Sequence, residues 1–242
     1  MRPIWFALPL FLLMACASPK VVPSRADEHF QLTMLKEKRI AVWPIPSADL
    51  DASTAGTVTK EYTSQNKFLD ALSAKLSSRL ISACASTSLN SDKMAMLLNS
   101  TEAAKGFLDP AKVLGTADPN NRFATAPDLA PLSKVEGLQG VKYAILFRDL
   151  SLGRQWSHSG GGGGGYVSNG AGGGMFVGGA SSSAKSNARL RLAIVDLESK
   201  TVVWDGAVFA DASSTFMKAT ALHEIEDDLT TNFVNAVLGI QQ

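Results

Sequence analysis

Twelve of the chain's 20 glycines fall within residues 160–179. A stretch of that composition has too few side chains to fill a core, and it gives up the most backbone entropy on ordering. The fold must therefore be built by what flanks it. Residues 141–147, Val-Lys-Tyr-Ala-Ile-Leu-Phe, are the strongest strand signal in the chain and continue with weaker alternation to Trp156. Residues 188–197 place Leu190, Leu192 and Ile194 on one face and Arg189, Arg191 and Ala193 on the other. A turn at 196–200 leads into a returning strand over 201–210, which makes a hairpin. Residues 158–187 thus read as a long Gly-rich loop between two strands. Inside it Tyr166, Val167, Met175, Phe176 and Val177 are candidates for contact with a partner or with lipid. A pore-forming hairpin would need about 9–11 alternating residues per strand, and residues 160–165 break that pattern.

Helical periodicity frames the strands. Phe68, Leu72, Leu76 and Leu80, with Leu69 and Ile81 beside them, make one apolar stripe of a helix expected from Lys60. Leu222, Ile225, Leu229, Phe233, Ala236, Val237 and Ile240 make another in a helix from about Ala219, with Glu224, Glu226, Asp227 and Asp228 crowding its first turns as a solvated, dipole-matched start. Arg39-Ile40-Ala41-Val42 opens a short buried strand ended by Pro44 and Pro46, and residues 47–59 read as a loop. Within 86–126, residues 92–107 read as a helix and the remainder, rich in Pro, Gly and Asn, as loop. Residues 128–138 read as a short helix. The order β-α-(α)-α-β-β-β-α predicts an α/β fold, a mixed sheet packed against helices.

The N-terminus limits where this fold begins. Arg2 precedes about a dozen apolar residues ending at Cys16, the size of a signal-peptide core and too short to span a bilayer. Leu13-Met14-Ala15-Cys16 resembles the lipobox of bacterial lipoprotein precursors. The resemblance implies cleavage after residue 15 and lipidation of Cys16; an ordinary signal peptide or an uncleaved anchor is the alternative. Ala17, where Asp would favour the inner membrane, points to the outer membrane. The division expected is 1–15 signal peptide, 16–37 lipidated Cys and flexible tether, and 38–242 one α/β domain carrying the 86–126 insertion.

Charge and motif content exclude several chemistries. Cleavage removes Arg2 and leaves 22 basic against 22 acidic residues, with no basic excess for a nucleic acid or a polybasic membrane contact. Cys84 would be the one remaining thiol, a small buried hydrophobe by its neighbours Ile81, Ala83 and Ala85. His29, His158 and His223 are scattered without metal-ligand spacing. The glycine run matches G-x-G-x-x-G but lies between strands, so no helix N-terminus follows to hold a pyrophosphate. No cofactor, metal or catalytic constellation is expected.

Four segments carry a family resemblance: Arg39-Ile40-Ala41-Val42 as first strand, residues 68–80 as first helix, residues 132–145 as a helix-to-strand step, and residues 192–204 as a hairpin. With the lipobox before them they are similar to bacterial lipoproteins of the group around the TolB amino-terminal domain, the curli secretion lipoprotein and the lipoprotein activators of penicillin-binding proteins. The resemblance implies an envelope protein held by a lipid, facing the periplasm and binding or scaffolding an envelope protein partner without catalysis. The alternative it implies is an oligomeric subunit of an export apparatus.

Intact mass spectrometry of the membrane-extracted chain tests the N-terminal reading. The expected product begins at Cys16 and carries a lipid-sized mass, and Cys16→Ala loses both that mass and outer-membrane fractionation. An unlipidated product cleaved elsewhere would overturn it.

Overall fold

The apolar run beginning at Tyr143 becomes the hub of the sheet. The computed structural model describes residues 20–85, 87–100, 102–114, 132, 135, 137–159, 165–169, 173–177, 181–215 and 222–240, with 103, 154–159, 165–169, 173–177, 181–185 and 212–215 described through the backbone alone. In chain order the elements are β1 (Val21–Ala26), a 3-10 turn (Leu32–Leu35), β2 (Ile40–Val42), β3 (Ala48–Leu50), α1 (Ala52–Tyr62), α2 (Gln65–Ser82), α3 (Ser91–Asn99), α4 (Glu102–Lys105), α5 (Pro110–Leu114), β4 (Tyr143–Ser159), β5 (Gly165–Asn169), β6 (Gly173–Val177), β7 (Ser181–Asp196), β8 (Thr201–Thr215) and α6 (Leu222–Leu238). The fold is α/β. One six-stranded sheet has the order β1-β8-β7-β4-β2, with β3 also on β4, and β5 pairs with β6 separately. β2 and β3 run parallel to β4, while β4–β7, β7–β8 and β1–β8 are antiparallel, so the sheet is mixed.

Alternation of the strands makes two cores. On one face Ile145, Phe147, Leu150, Leu152, Leu190, Leu192, Ile194 and Val208 pack against Phe68, Leu72, Leu76 and Leu80 of α2 and Leu229, Phe233 and Val237 of α6. On the other, Ala41, Trp43, Ala144, Leu146, Ala193 and Val195 pack against Met94, Leu98, Ala104 and Val113. The stripes Phe68–Leu80 and Leu222–Val237 are therefore core, whereas Ile81 and Ala236 are half-buried and Ile240 lies past the end of α6 and is exposed. Residues 91–114, read as part of an insertion, are instead the helical layer of the second face. Trp43 is fully buried there and donates its indole N–H to the Phe107 carbonyl at 2.8 Å. Residues 115–131, with most of the helix expected over 128–138, lie outside the described residues.

Four further expectations change. Order begins before residue 38: β1 lies within the expected tether and pairs with β8 from Val21↔Val208 to Ala26↔Trp204, and Phe30 and Leu35 join the core. Its sequence shows no apolar alternation because it is an edge strand whose side chains are mostly exposed. Residues 47–59 are not a loop but β3 and most of α1. Asp51 caps α1 by accepting the Thr54 N–H at 2.8 Å, and Thr54 and Val58 are its buried residues. The helix expected from Lys60 is split in two, because Thr63 turns at φ 71° and Ser64 caps α2 through the Lys67 N–H. His158 and Ser159 belong to β4, and residues 181–187 to β7, so the Gly-rich connection is shorter than 158–187.

Gly206 allows β1 to lie against β8. A Cβ there would stand 2.6 Å from Trp204 Cη2 and closer still to the Val22 carbonyl. Gly206→Ala is expected to destabilise the fold by about 1–3 kcal/mol through overpacking and to shift Trp204 fluorescence. Urea denaturation with both readouts checks it, and wild-type stability would refute the close approach.

Candidate functional site

Among the described residues the helical cover of the sheet reaches about as far as Leu152, while β4, β7 and β8 continue. Beyond that point β4 pairs with β7 to Ser159↔Ser181, and β7 with β8 to Ser183↔Thr215. On the outer side β3 ends at Leu50, opposite Leu152, and β1 begins at Val21, opposite Val208. Among the described residues, both outer edges of this three-stranded ribbon are unpaired past those points.

The direction of the free backbone groups follows from the last paired ones. Leu150 donates its N–H toward β3, to the Ser47 carbonyl at 3.1 Å, and Phe209 donates toward β1, to the Lys20 carbonyl at 2.7 Å. Backbone groups alternate sides along a strand. The N–H groups of Arg154, Trp156 and His158 therefore point to the open edge of β4, and those of Asp211, Ser213 and Thr215 to the open edge of β8.

A cleft of about 490 Å³ lies at the base of the ribbon. Leu50, Leu152, Ala188 and Ala210 face the first core. Their neighbours Asp49, Ser151, Arg189, Phe209 and Asp211 line the cleft on the opposite face. Small residues form its floor. A Cβ on Gly153 would meet Asn187 Oδ1 at 3.2 Å and Asp51 Oδ2 at 3.4 Å, so glycine leaves those two groups room to converge. Most charges here are matched. Asp51 caps α1, Asp211 takes Lys20 Nζ at 3.1 Å, Asp149 pairs with Arg191 at 3.4 Å and Arg148 with Asp205 at 2.8 Å. Among the described residues no three metal-ligating side chains come together, so the cleft carboxylates do not form such a group.

Of the residues singled out from sequence, Cys16 lies outside the described residues. Tyr166 and Val167 fall on β5, and Met175, Phe176 and Val177 on β6, with Tyr166↔Phe176, Val167↔Met175 and Gly165↔Val177 in register. Each strand has five residues. The cleft residues were not singled out, because Asp49 and Asp51 sat in an expected loop and Arg189 on an expected strand's polar face. The signal available was the alternation Arg189-Leu190-Arg191-Leu192, which marks a sheet face left without apolar cover.

The acidic start of α6 is only partly solvated. Glu226 is 6% exposed, accepts the Tyr62 hydroxyl and pairs with Lys75 Nζ at 3.3 Å, tying α6 to α1 and α2. Burial and the Glu226 carboxylate push the Tyr62 phenol well above its usual range. No protein-family model matches the chain, and no curated protein matches it in sequence.

Cys84 is partly rather than fully buried, packed at the margin of the first core. Burial pushes its thiol up to about 11, and the thiolate is the reacting form. Labelling by a water-soluble disulfide reagent should therefore be slow at neutral pH and rise about tenfold per pH unit, with no plateau below about pH 11. A plateau near pH 8 would refute the burial effect.

Proposed function

We propose that this chain is a lipid-anchored protein of the outer membrane, facing the periplasm, that binds or scaffolds an envelope protein assembly without catalysis. The observation that carries the reading is where Lys20 sits. β1 runs antiparallel to β8, so the chain before Lys20 leaves in the direction in which β8 runs on to Thr215. Three residues separate Cys16 from Lys20, and the four chain steps between them reach at most about 14 Å. A lipid on Cys16 would hold the sheet by the end at which the ribbon projects. From Phe209 the ribbon extends about 20 Å further, into the zone next to the membrane where an envelope partner is met. Open strand edges there are suited to strand addition, in which main-chain hydrogen bonds supply affinity. The β5–β6 hairpin carries Tyr166, Val167, Met175, Phe176 and Val177 within the same Gly-rich connection, as residues for a partner or the lipid surface.

Two proline substitutions test the edges. Arg154→Pro and Ser213→Pro each remove an N–H that points away from β7, so neither breaks a ribbon hydrogen bond. The full chain, extracted from membranes in detergent and run on a native gel, is expected in a complex heavier than the 25.6 kDa monomer. Arg154→Pro, Ser213→Pro or both should release it at unchanged thermal stability. A monomeric wild type, or complexes indifferent to both prolines, would sink the reading.

One observation favours the second reading, an oligomeric export subunit. β4 and β8 are both antiparallel to β7 and so run in the same direction. The β8 edge of one copy could add in parallel to the β4 edge of the next, where β4 already takes β2 and β3 as parallel partners. Such a contact is heterologous and repeats into a ring or filament. Complexes containing this chain alone, lost equally with either proline, would select it.

A further inference from the structure

Among the described residues Asp49 and Arg189 are the two cleft charges without an ion-pair or side-chain hydrogen-bond partner. Asp49 is opposite Ser151 on β4, and Ser151 is opposite Arg189 on β7. Two strand spacings put their Cα atoms about 10 Å apart. No ion pair joins them across Ser151. Among the described residues the Asp49 carboxylate forms no hydrogen bond or ion pair, while its backbone stays in the β3–β4 ladder. Among the same residues the Arg189 side chain has one cation–π contact, with its guanidinium carbon 6.0 Å from the Phe209 ring centroid, and no hydrogen bond or ion pair. Asp51, Asp149, Arg191 and Asp211 are engaged as described above. One carboxylate and one guanidinium thus stand on opposite walls, over a floor of Ser151 and Gly153 low enough to admit a molecule between them.

We propose that this cleft binds a small zwitterion, its primary ammonium on Asp49 and its anionic group, phosphate or carboxylate, on Arg189. A phosphoethanolamine lipid headgroup and a free amino acid share this chemistry. The inference stands apart from the scaffold reading, since it needs neither the anchor nor the open strand edges.

The test uses the full-length chain, 15N-labelled, in dodecyl maltoside micelles. It is titrated separately with phosphoethanolamine, alanine, ethanolamine and inorganic phosphate, and the amide shifts of Ser151, Gly153 and Arg189 are followed. The expected result is saturable shifts with at least one of the two zwitterions. The single-charge compounds should bind about fivefold more weakly, the scale of one exposed ion pair. Asp49→Asn should abolish the preference over inorganic phosphate, and Arg189→Gln the preference over ethanolamine. Arg189→Lys should keep part of the affinity. Tighter phosphoethanolamine than alanine binding identifies a lipid headgroup as the source, and the reverse an amino acid or peptide. No saturable shift at these amides with either zwitterion, inorganic phosphate or ethanolamine alone binding as tightly, or unchanged binding in Asp49→Asn and Arg189→Gln would each overturn the proposal. Because both side chains are exposed, unchanged shifts elsewhere in the spectrum confirm that the variants fold.

Discussion

The antiparallel pairing of β4 with β7 is the constraint on which the rest of the molecule depends. It runs from Tyr143↔Asp196 to Ser159↔Ser181 and is interrupted once, where Arg148 is the extra residue between Phe147 and Asp149. That bulge decides which side chains meet which layer. Before it, odd-numbered residues of β4 (Tyr143, Ile145, Phe147) face the α2–α6 core; after it, even-numbered ones (Leu150, Leu152) do. β7 keeps one parity throughout, with Ala188, Leu190, Leu192 and Ile194 on that face. Without the inserted residue, Leu150 and Leu152 would turn outward and Asp149 and Ser151 inward, since a one-residue slip exchanges the two faces of a strand. The bulge therefore holds the core together along the sheet and, by the same step, sets Ser151 and Gly153 as the floor of the cleft. Arg148 itself is held by Asp205.

The two helical layers are fastened to this sheet by different means. The α2–α6 layer is apolar along its length and adds the Glu226–Tyr62–Lys75 group, in which a buried carboxylate is matched by a hydroxyl and an ammonium. A buried ion pair adds little net stability, and its role here is to fix how three helices sit together. The α3–α5 layer is smaller and relies on directional bonds. Trp43 reaches the Phe107 carbonyl, and Arg39 donates to the carbonyls of Thr87, Gly137 and Gln139, segments separated by some fifty residues of chain.

What could be read from the sequence was what the core imposes. The stripe from Phe68 to Leu80, the stripe from Leu222 to Val237 and the runs after Val141 and Ala188 carry apolar periodicity because each buries one face. β1 and α1 carry almost none. β1 is held by main-chain bonds to β8, and its register shifts between Pro23 and Arg25. α1 buries only Thr54 and Val58 and contains Gly56, so its start is written in the cap Asp51 rather than in hydrophobic spacing. The cleft was illegible for another reason. Asp49, Ser151 and Arg189 are neighbours only through two strand registers, and single-sequence patterning specifies neither. Glu226 shows the same limit from the other side: an acidic residue in a run of four reads as solvated until the helix face it occupies is known.

The change in composition along the long strands accounts for the shape of the candidate site. β7 reads Leu-Arg-Leu-Ala-Ile-Val where helices cover it and Ser-Ser-Ser-Ala-Lys-Ser-Asn beyond them. Polar strands gain little from packing against a helix, so the helical layers end where the sequence stops providing apolar residues. A narrow strand assembly with open edges is marginal by itself, because its backbone bonds must offset the entropy of ordering with little apolar burial. What would cover its edges or faces supplies the missing stabilisation, which couples the order of the ribbon to whatever it meets. Serine and glycine suit that coupling. They leave the extension soluble when it is uncovered, and they keep the bare edges from templating non-specific β-aggregation, which requires apolar strands of high β-propensity. On the reading proposed above, a polar ribbon on a packed α/β body is a strand edge that such a partner could complete.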